Sequence, residues 1–327
     1  MHWLLMAAVL GVYEDAPMKL YTESGVELRM DERVYTLFAA LNAAGFSEES
    51  NRRGPPLNAP VFHPIRVEVR DALREVRDSE LGEELRTLFQ SNPYPIEDYL
   101  AALLAPEGAQ LGPPAQKLQG QLEVLERFRD EADLEDLFAR LAEKQREQAK
   151  ALMKSVEADL QEVVATLDDP AFRAPRSLVV VPNPMDSHDA LRTVDVGDQR
   201  FISVGPGLES GREQIVRAAV RPYIRSAVDG AWAAASKYRA HWEGVKLSKR
   251  IVNRYRNAKN YLVVALTRAL VHRIEAGAGQ AADEEFVDAQ ARENMRWARI
   301  ALRVWDKHED GEPFAAALPA LVRRHGP

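Results

Sequence analysis

The sequence predicts a mostly helical α+β protein. Its small sheet, three-stranded or larger, leads into one central helix and a helical C-terminal part. Three stretches carry this reading. Residues 116–168 hold the longest helical periodicity, with Leu152, Val156, Leu160, Val163 and Leu167 falling three or four apart. Residues 177–204 switch to short β runs at 177–181 (SLVVV), 191–196 and 201–204. A Gly205-Pro206-Gly207 turn follows, and then a helix opening near Ser210. On it Val216, Val220, Tyr223 and Ala227 form an apolar stripe, while Arg217, Arg221 and Arg225 stand four apart beside it.

Taken in order, the chain begins with a ten-residue apolar run at 3–12, the length of a signal-peptide core, although only His2 precedes it and no A-x-A site follows. This favours export to the periplasm or medium, with residues 1–20 as a signal or N-terminal extension. The alternative is a buried first element in a cytoplasmic protein. Residues 26–30 (VELRM) alternate Val26, Leu28 and Met30 and predict a half-buried edge strand. Asp31 is placed to cap a helix that buries Val34, Leu37, Phe38 and Leu41, and Gly45 to stop it. After a loop at 47–60 and His63, which fits a structural or capping role, helices are predicted over about 65–78, 80–91 and 96–105. A linker at 106–114 precedes the 116–168 stretch, which breaks near Asp130 to Asp133, with Asp133 as the second helix's cap. A helix over 133–167 runs about 50 Å. Pro182, Pro184 and a turn at 185–189 containing a solvated His188 follow the first strand of the β region. Pro222 predicts a kink in the central helix just after Arg221, with continuation to Trp242. Helices at 282–306 and 314–324 end the chain, with Phe286, Met295, Ala298 and Trp305 facing inward.

Composition excludes several chemistries. With no cysteine among 327 residues there is no disulfide, thiolate metal site or cysteine nucleophile. A net charge of −7 disfavours bulk nucleic-acid binding, and no apolar run reaches the roughly 18 residues of a membrane span. No nucleotide fingerprint, P-loop or G-x-S-x-G elbow occurs, so no cofactor is expected. Lys246, Lys249, Arg250, Arg254, Arg256 and Lys259, with Tyr255 between them, form a basic run that reads as a solvated face and alternatively as an anion or nucleic-acid contact. His272 and Glu275, three apart, are two potential ligands on a turn that Val271 and Ile274 mark as buried; the pair reads as structural.

The strand at 201–204, the loop and the helix carrying residues 217–221 resemble the strand, loop and H-E-x-x-H helix of zinc metallopeptidases, specifically a bacterial family of thermolysin-like (gluzincin-type) predicted peptidases. The segment Phe62-His63-Pro64 behind a short strand and helix is similar to that family's N-terminal part. The resemblance implies one gluzincin-like domain over 21–276, with 277–327 as a helical extension packed on it. The motif positions read Arg217-Ala218-Ala219-Val220-Arg221. A guanidinium has no usable lone pair for zinc, and Ala218 stands where the family has its general base. The same frame puts Asn260 at the third ligand position, where it is expected to join Arg217 and Arg221 in a polar network, with Arg225, Tyr223 and Tyr261 as further binding residues. The expectation is a pseudoenzyme that holds no zinc and takes a peptide or protein partner in a retained cleft, the sheet's edge strand receiving it by β-augmentation. The alternatives are a hydrolase of another mechanism, using Glu209 or Glu213, and the anion binder of the 246–259 run.

Overall fold

The computed structural model describes residues 18–23, 26–46, 64–106, 108–167, 177–186, 190–206, 212–235, 257–276, 279–293, 295, 297–309, 311–314 and 316–318. The apolar run 3–12, His63, His188, Glu209 and the basic run from Lys246 to Arg256 lie outside them. The protein is mostly helical with one small mixed sheet, as the sequence predicts. The chain divides into two compact units, Met1–Ser155 with Ser177–Gly211, and Val156–Arg176 with Arg212–Pro327. This division crosses the 21–276 span expected to be one domain.

In the first unit, β1 (Met18–Glu23) pairs antiparallel with β2 (Val26–Met30). Beyond β2 the sheet continues through β3 (Ser177–Pro182) and β5 (Gln199–Val204) to β4 (Leu191–Val196), in the order β1-β2-β3-β5-β4. The pairs β2 with β3 and β3 with β5 are parallel, and β4 lies antiparallel on β5. The expectation that β2 is a half-buried edge is therefore corrected. It is an interior strand with all five residues buried, because β1, unread in the sequence, covers its outer side. The uninterrupted apolar run of β3 has the same cause, since a parallel strand covered on both faces needs no polar alternation. β4 and β5 meet in a two-residue turn, Gly197-Asp198, whose glycine has φ +57°, the sign the first turn position of a type II′ hairpin requires.

Burial of β2 includes its charges. Glu27 and Arg29 are 6% and 7% exposed, and Arg29 donates to both oxygens of Glu27 at 2.7 and 3.0 Å. The Arg29 guanidinium also lies 5.3 Å from the Phe201 ring and 3.7 Å from Asp31. Asp31 caps α1 (Glu32–Ala43) by accepting from the Arg33 backbone N–H. Gly45, at φ +84°, ends that helix as expected. α1 is buried along nearly its whole length, among α2 (Pro64–Ala72), α3 (Arg74–Arg77), α4 (Glu80–Ser91), α5 (Ile96–Leu104), α6 (Pro113–Gln119) and α7 (Glu123–Glu131). Val179, Val181, Val194, Val196 and Phe201 face the same core, with Phe38, Leu85, Tyr99 and Phe128.

α8 (Leu134–Thr166) follows Asp133, whose φ of +49° is a left-handed conformation that aspartate tolerates. Its 33 residues span about 50 Å, and of the foreseen stripe Val156, Leu160, Val163 and Leu167 are buried while Leu152 is half-buried. The second unit takes up at Val156 and continues with α9 (Arg212–Ala235), α10 (Ala258–Ala276), α11 (Gln280–Arg292) and α12 (Ala298–Glu309). α9 runs through Pro222 as one helix, where the sequence predicts a kink or restart. Trp305 closes this unit's core, donating its indole N–H to the Leu266 carbonyl at 2.9 Å.

Candidate functional site

α9 sorts its residues as a helix with one apolar side must. Ile215, Val216, Ala219, Val220, Tyr223, Ile224, Ala227 and Val228 are buried. Arg217, Ala218 and Arg225 are half-buried and Arg221 is exposed. Tyr223 at 4% and Tyr261 at 0% exposure belong to the core, and Tyr261 packs edge-on against Trp297 with ring centroids 4.9 Å apart. Neither presents a face to a ligand. Both leave the candidate site because their spacing on the buried stripes fixes them inward.

The N-terminal turn of α9 is anchored by a charge network. Arg212 donates to both oxygens of Asp159, which is 4% exposed on α8. Arg217 pairs with Glu213 one turn back. Glu275, near the end of α10, lies within electrostatic reach of Arg212, Glu213, Arg217 and Asp159. Though Glu275 is exposed, its carboxyl is pushed above the ordinary range by lost hydration and then by Glu213, with Arg212 offsetting them. Arg221 has its pKa lowered by lost hydration, then by Arg225 and Arg217.

At the other end of α9, Asp229 meets Lys259 at 2.5 Å. Glu275 beside the start of α9 and Lys259 beside its later part make α9 and α10 antiparallel. Asn260 therefore stands near Asp229, fifteen residues or about 22 Å along α10 from Glu275, and its backbone N–H donates to the Asn257 side chain at 2.9 Å. The structure does not bring Asn260 to Arg217 or Arg221. The acid that a later helix offers to Arg217 is Glu275, which the sequence alone does not assign there. Its neighbour His272 turns away, contacting Asp283 at 3.1 Å and stacking on Phe286 at 4.3 Å. The two potential ligands thus diverge, and among the described residues no cluster of three His, Cys, Asp or Glu could hold a metal.

In the first unit the polar groups gather at the end of β3. Asn183, 1% exposed, accepts from the Met185 N–H at 3.2 Å and reaches Ser203 at 3.4 Å. Asp186, fully buried, receives both Nε and Nη2 of Arg192 on β4 at 2.6 and 2.9 Å. Glu97 adds a 3.4 Å contact to the same guanidinium, which lies 6.0 Å from the Phe38 ring. These groups hold β4 in place, and sequence reasoning missed them. The available signal was an arginine opening a β run six residues after an aspartate. A shallow apolar depression between α1 and α8, lined by Tyr35, Thr36, Leu137, Phe138 and Met185, has about 10 Å³ of free volume, too little for a ligand larger than water.

No family model, curated protein or solved structure matches the chain. Among the described residues no helix is long and apolar enough to cross a membrane.

Proposed function

We propose that this chain is a metallopeptidase-like protein without catalysis, which binds an extended peptide, free or as a segment of a partner protein, along β4. The observation that carries the reading is the outward-directed backbone of that strand, which has α5 packed against it but pairs with no described strand on that side. β4 ends the sheet, and no described strand lies beyond it. The two-residue turn and the Gly205 N–H donating to the Ala190 carbonyl at 2.8 Å set which groups are spoken for. Residues 190, 192, 194 and 196 direct their N–H and C=O toward β5, so Leu191, Thr193 and Asp195 direct theirs outward. Leu191 and Thr193 are half-buried and Asp195 is exposed. Each hydrogen bond to an added strand is worth about 0.5–1.5 kcal/mol net, with side-chain fit supplying selectivity. The arginines at 217 and 221 support the non-catalytic half of the reading, because they donate where a zinc site must accept.

The test is fluorescence anisotropy of the full chain with a pool of labelled heptapeptides and their alternately N-methylated counterparts, together with elemental analysis after dialysis. Binding without cleavage is expected, lost on N-methylation in one register and lost in Thr193→Pro, which the edge tolerates because the N–H it removes faces outward. Zinc is expected well below one per chain. Peptide turnover, one retained zinc per chain, or undiminished binding by Thr193→Pro refutes the proposal.

A further inference from the structure

The ridge of α9 carries a charge sequence that the β4 reading does not use. Residues 213, 217, 221, 225 and 229 are Glu, Arg, Arg, Arg and Asp, each four residues and about 6 Å from the next. The two outer acids are committed, Glu213 to Arg217 and Asp229 to Lys259. Arg221 and Arg225 have no carboxylate or hydrogen-bond partner among the described residues. The Nε of Arg217 is likewise buried without an acceptor. Like charges four apart on a helix repel, so the bare fold gains nothing from placing three arginines in a row. Guanidinium groups left with free donors in register are suited to carboxylates, which accept two parallel N–H bonds from each.

We propose that Arg221 and Arg225, with Arg217 adding positive charge beside them, form a docking strip for a short acidic peptide segment bearing two carboxylates about 6–7 Å apart. That spacing is met by acidic residues two apart in an extended chain, at 3.3–3.4 Å per residue. The occupant is a short acidic segment and not a nucleic acid, because the strip holds three cations between two acids. A longer polyanion laid along the ridge runs into Glu213 at one end and Asp229 at the other. The chain's net charge of −7 adds general repulsion of polyanions. The strip is independent of β4, and either can fail without the other.

The experiment titrates the full chain against labelled hexapeptides carrying two glutamates one, two or three residues apart, their glutamine counterparts, and a single-stranded oligothymidylate, at two salt concentrations. The two-apart glutamate peptide is expected to bind best and to weaken as salt rises. Its affinity should fall tenfold or more in Arg221→Gln/Arg225→Gln, and the glutamine peptide should not bind. The double variant is expected to keep or slightly raise the melting temperature, which separates lost recognition from lost fold. The proposal is overturned by equal binding of glutamate and glutamine peptides, by unchanged affinity in the double variant, by tighter binding of the oligothymidylate, or by no binding of the glutamate peptides at all. It is overturned too by a marked fall in the double variant's melting temperature, which gives the arginines a role in the fold instead.

Discussion

Replacing Asp186 by alanine removes the fully buried carboxylate that faces Arg192. That arginine side chain is 16% exposed, so its charge would stay largely out of water with Glu97 as its remaining partner, 3.4 Å away and 42% exposed. Breaking one side of a buried pair costs about 3–5 kcal/mol, most of it the penalty of the orphaned charge. Because Glu97 partly compensates and keeps access to solvent, about 3 kcal/mol is expected for Asp186→Ala. For a unit of this size that lowers its melting temperature by about 6–12 °C. Urea denaturation followed by circular dichroism, with a thermal scan alongside, measures it. Adding Arg192→Met removes the orphaned charge while keeping its stem over Phe38, and should recover most of the loss. Since this pair fixes β4, the single variant should also bind β4 peptides more weakly. A single-variant cost under about 1 kcal/mol, or a double variant no better than the single, refutes the view that this pair anchors the strand.

Two further outcomes follow from the packing and the charges. Glu275 has a raised pKa, so the folded state favours its protonated form. That preference contributes stability below the ordinary glutamate value of about 4.3 and loses it as pH rises through the folded value. Glu275→Gln should therefore stabilise at pH 7, by at most about 0.5 kcal/mol after solvent screening, and give no gain at pH 3.5; equal gains at both pH values in urea titrations count against it. Gly82→Ala would place a Cβ 2.4 Å from the Val76 carbonyl oxygen and 2.6 Å from that of Arg77, so the backbone where α3 meets α4 must shift. A loss of about 1–3 kcal/mol is expected despite alanine's better helix propensity, and a stabilised variant contradicts the close approach.

Local patterns were legible in the sequence. Asp31 and Gly45 bound α1, and the stripes of α8 and α9 are buried where their spacing places them. What periodicity cannot carry is direction and pairing. It marks Val216 and Tyr223 as buried, but the antiparallel course of α10 decides that Glu275, not Asn260, lies within electrostatic reach of Arg217. Tyr223 and Tyr261 show the converse, since a residue near a candidate motif attracts a functional reading although its place on a buried stripe already assigns it to the core. β2 was misjudged because alternation implies a polar face open to water. Here the polar positions are Glu27 and Arg29, which satisfy each other under cover. Arg192 and Asp186 were missed for a related reason, as their partnership crosses a turn and recruits Glu97 from 95 residues away.

The pairing of β2 with β3 joins Val26 to Leu178, so two neighbouring strands of one sheet are 152 residues apart in the chain. At about 5–20 residues per second, a ribosome needs on the order of 8–30 s to deliver the second after the first. Through that interval β1 and β2 can form their antiparallel ladder, but the other side of β2 has no mate and is open to strands of neighbouring nascent chains. Charges that lie inward in the finished sheet are then exposed beside that bare edge. Glu27 and Arg29, whose burial contributes little net stability to the native fold, are expected to protect the half-made sheet from aggregation. Replacing both with valine should leave the purified protein folded while lowering its soluble yield during synthesis.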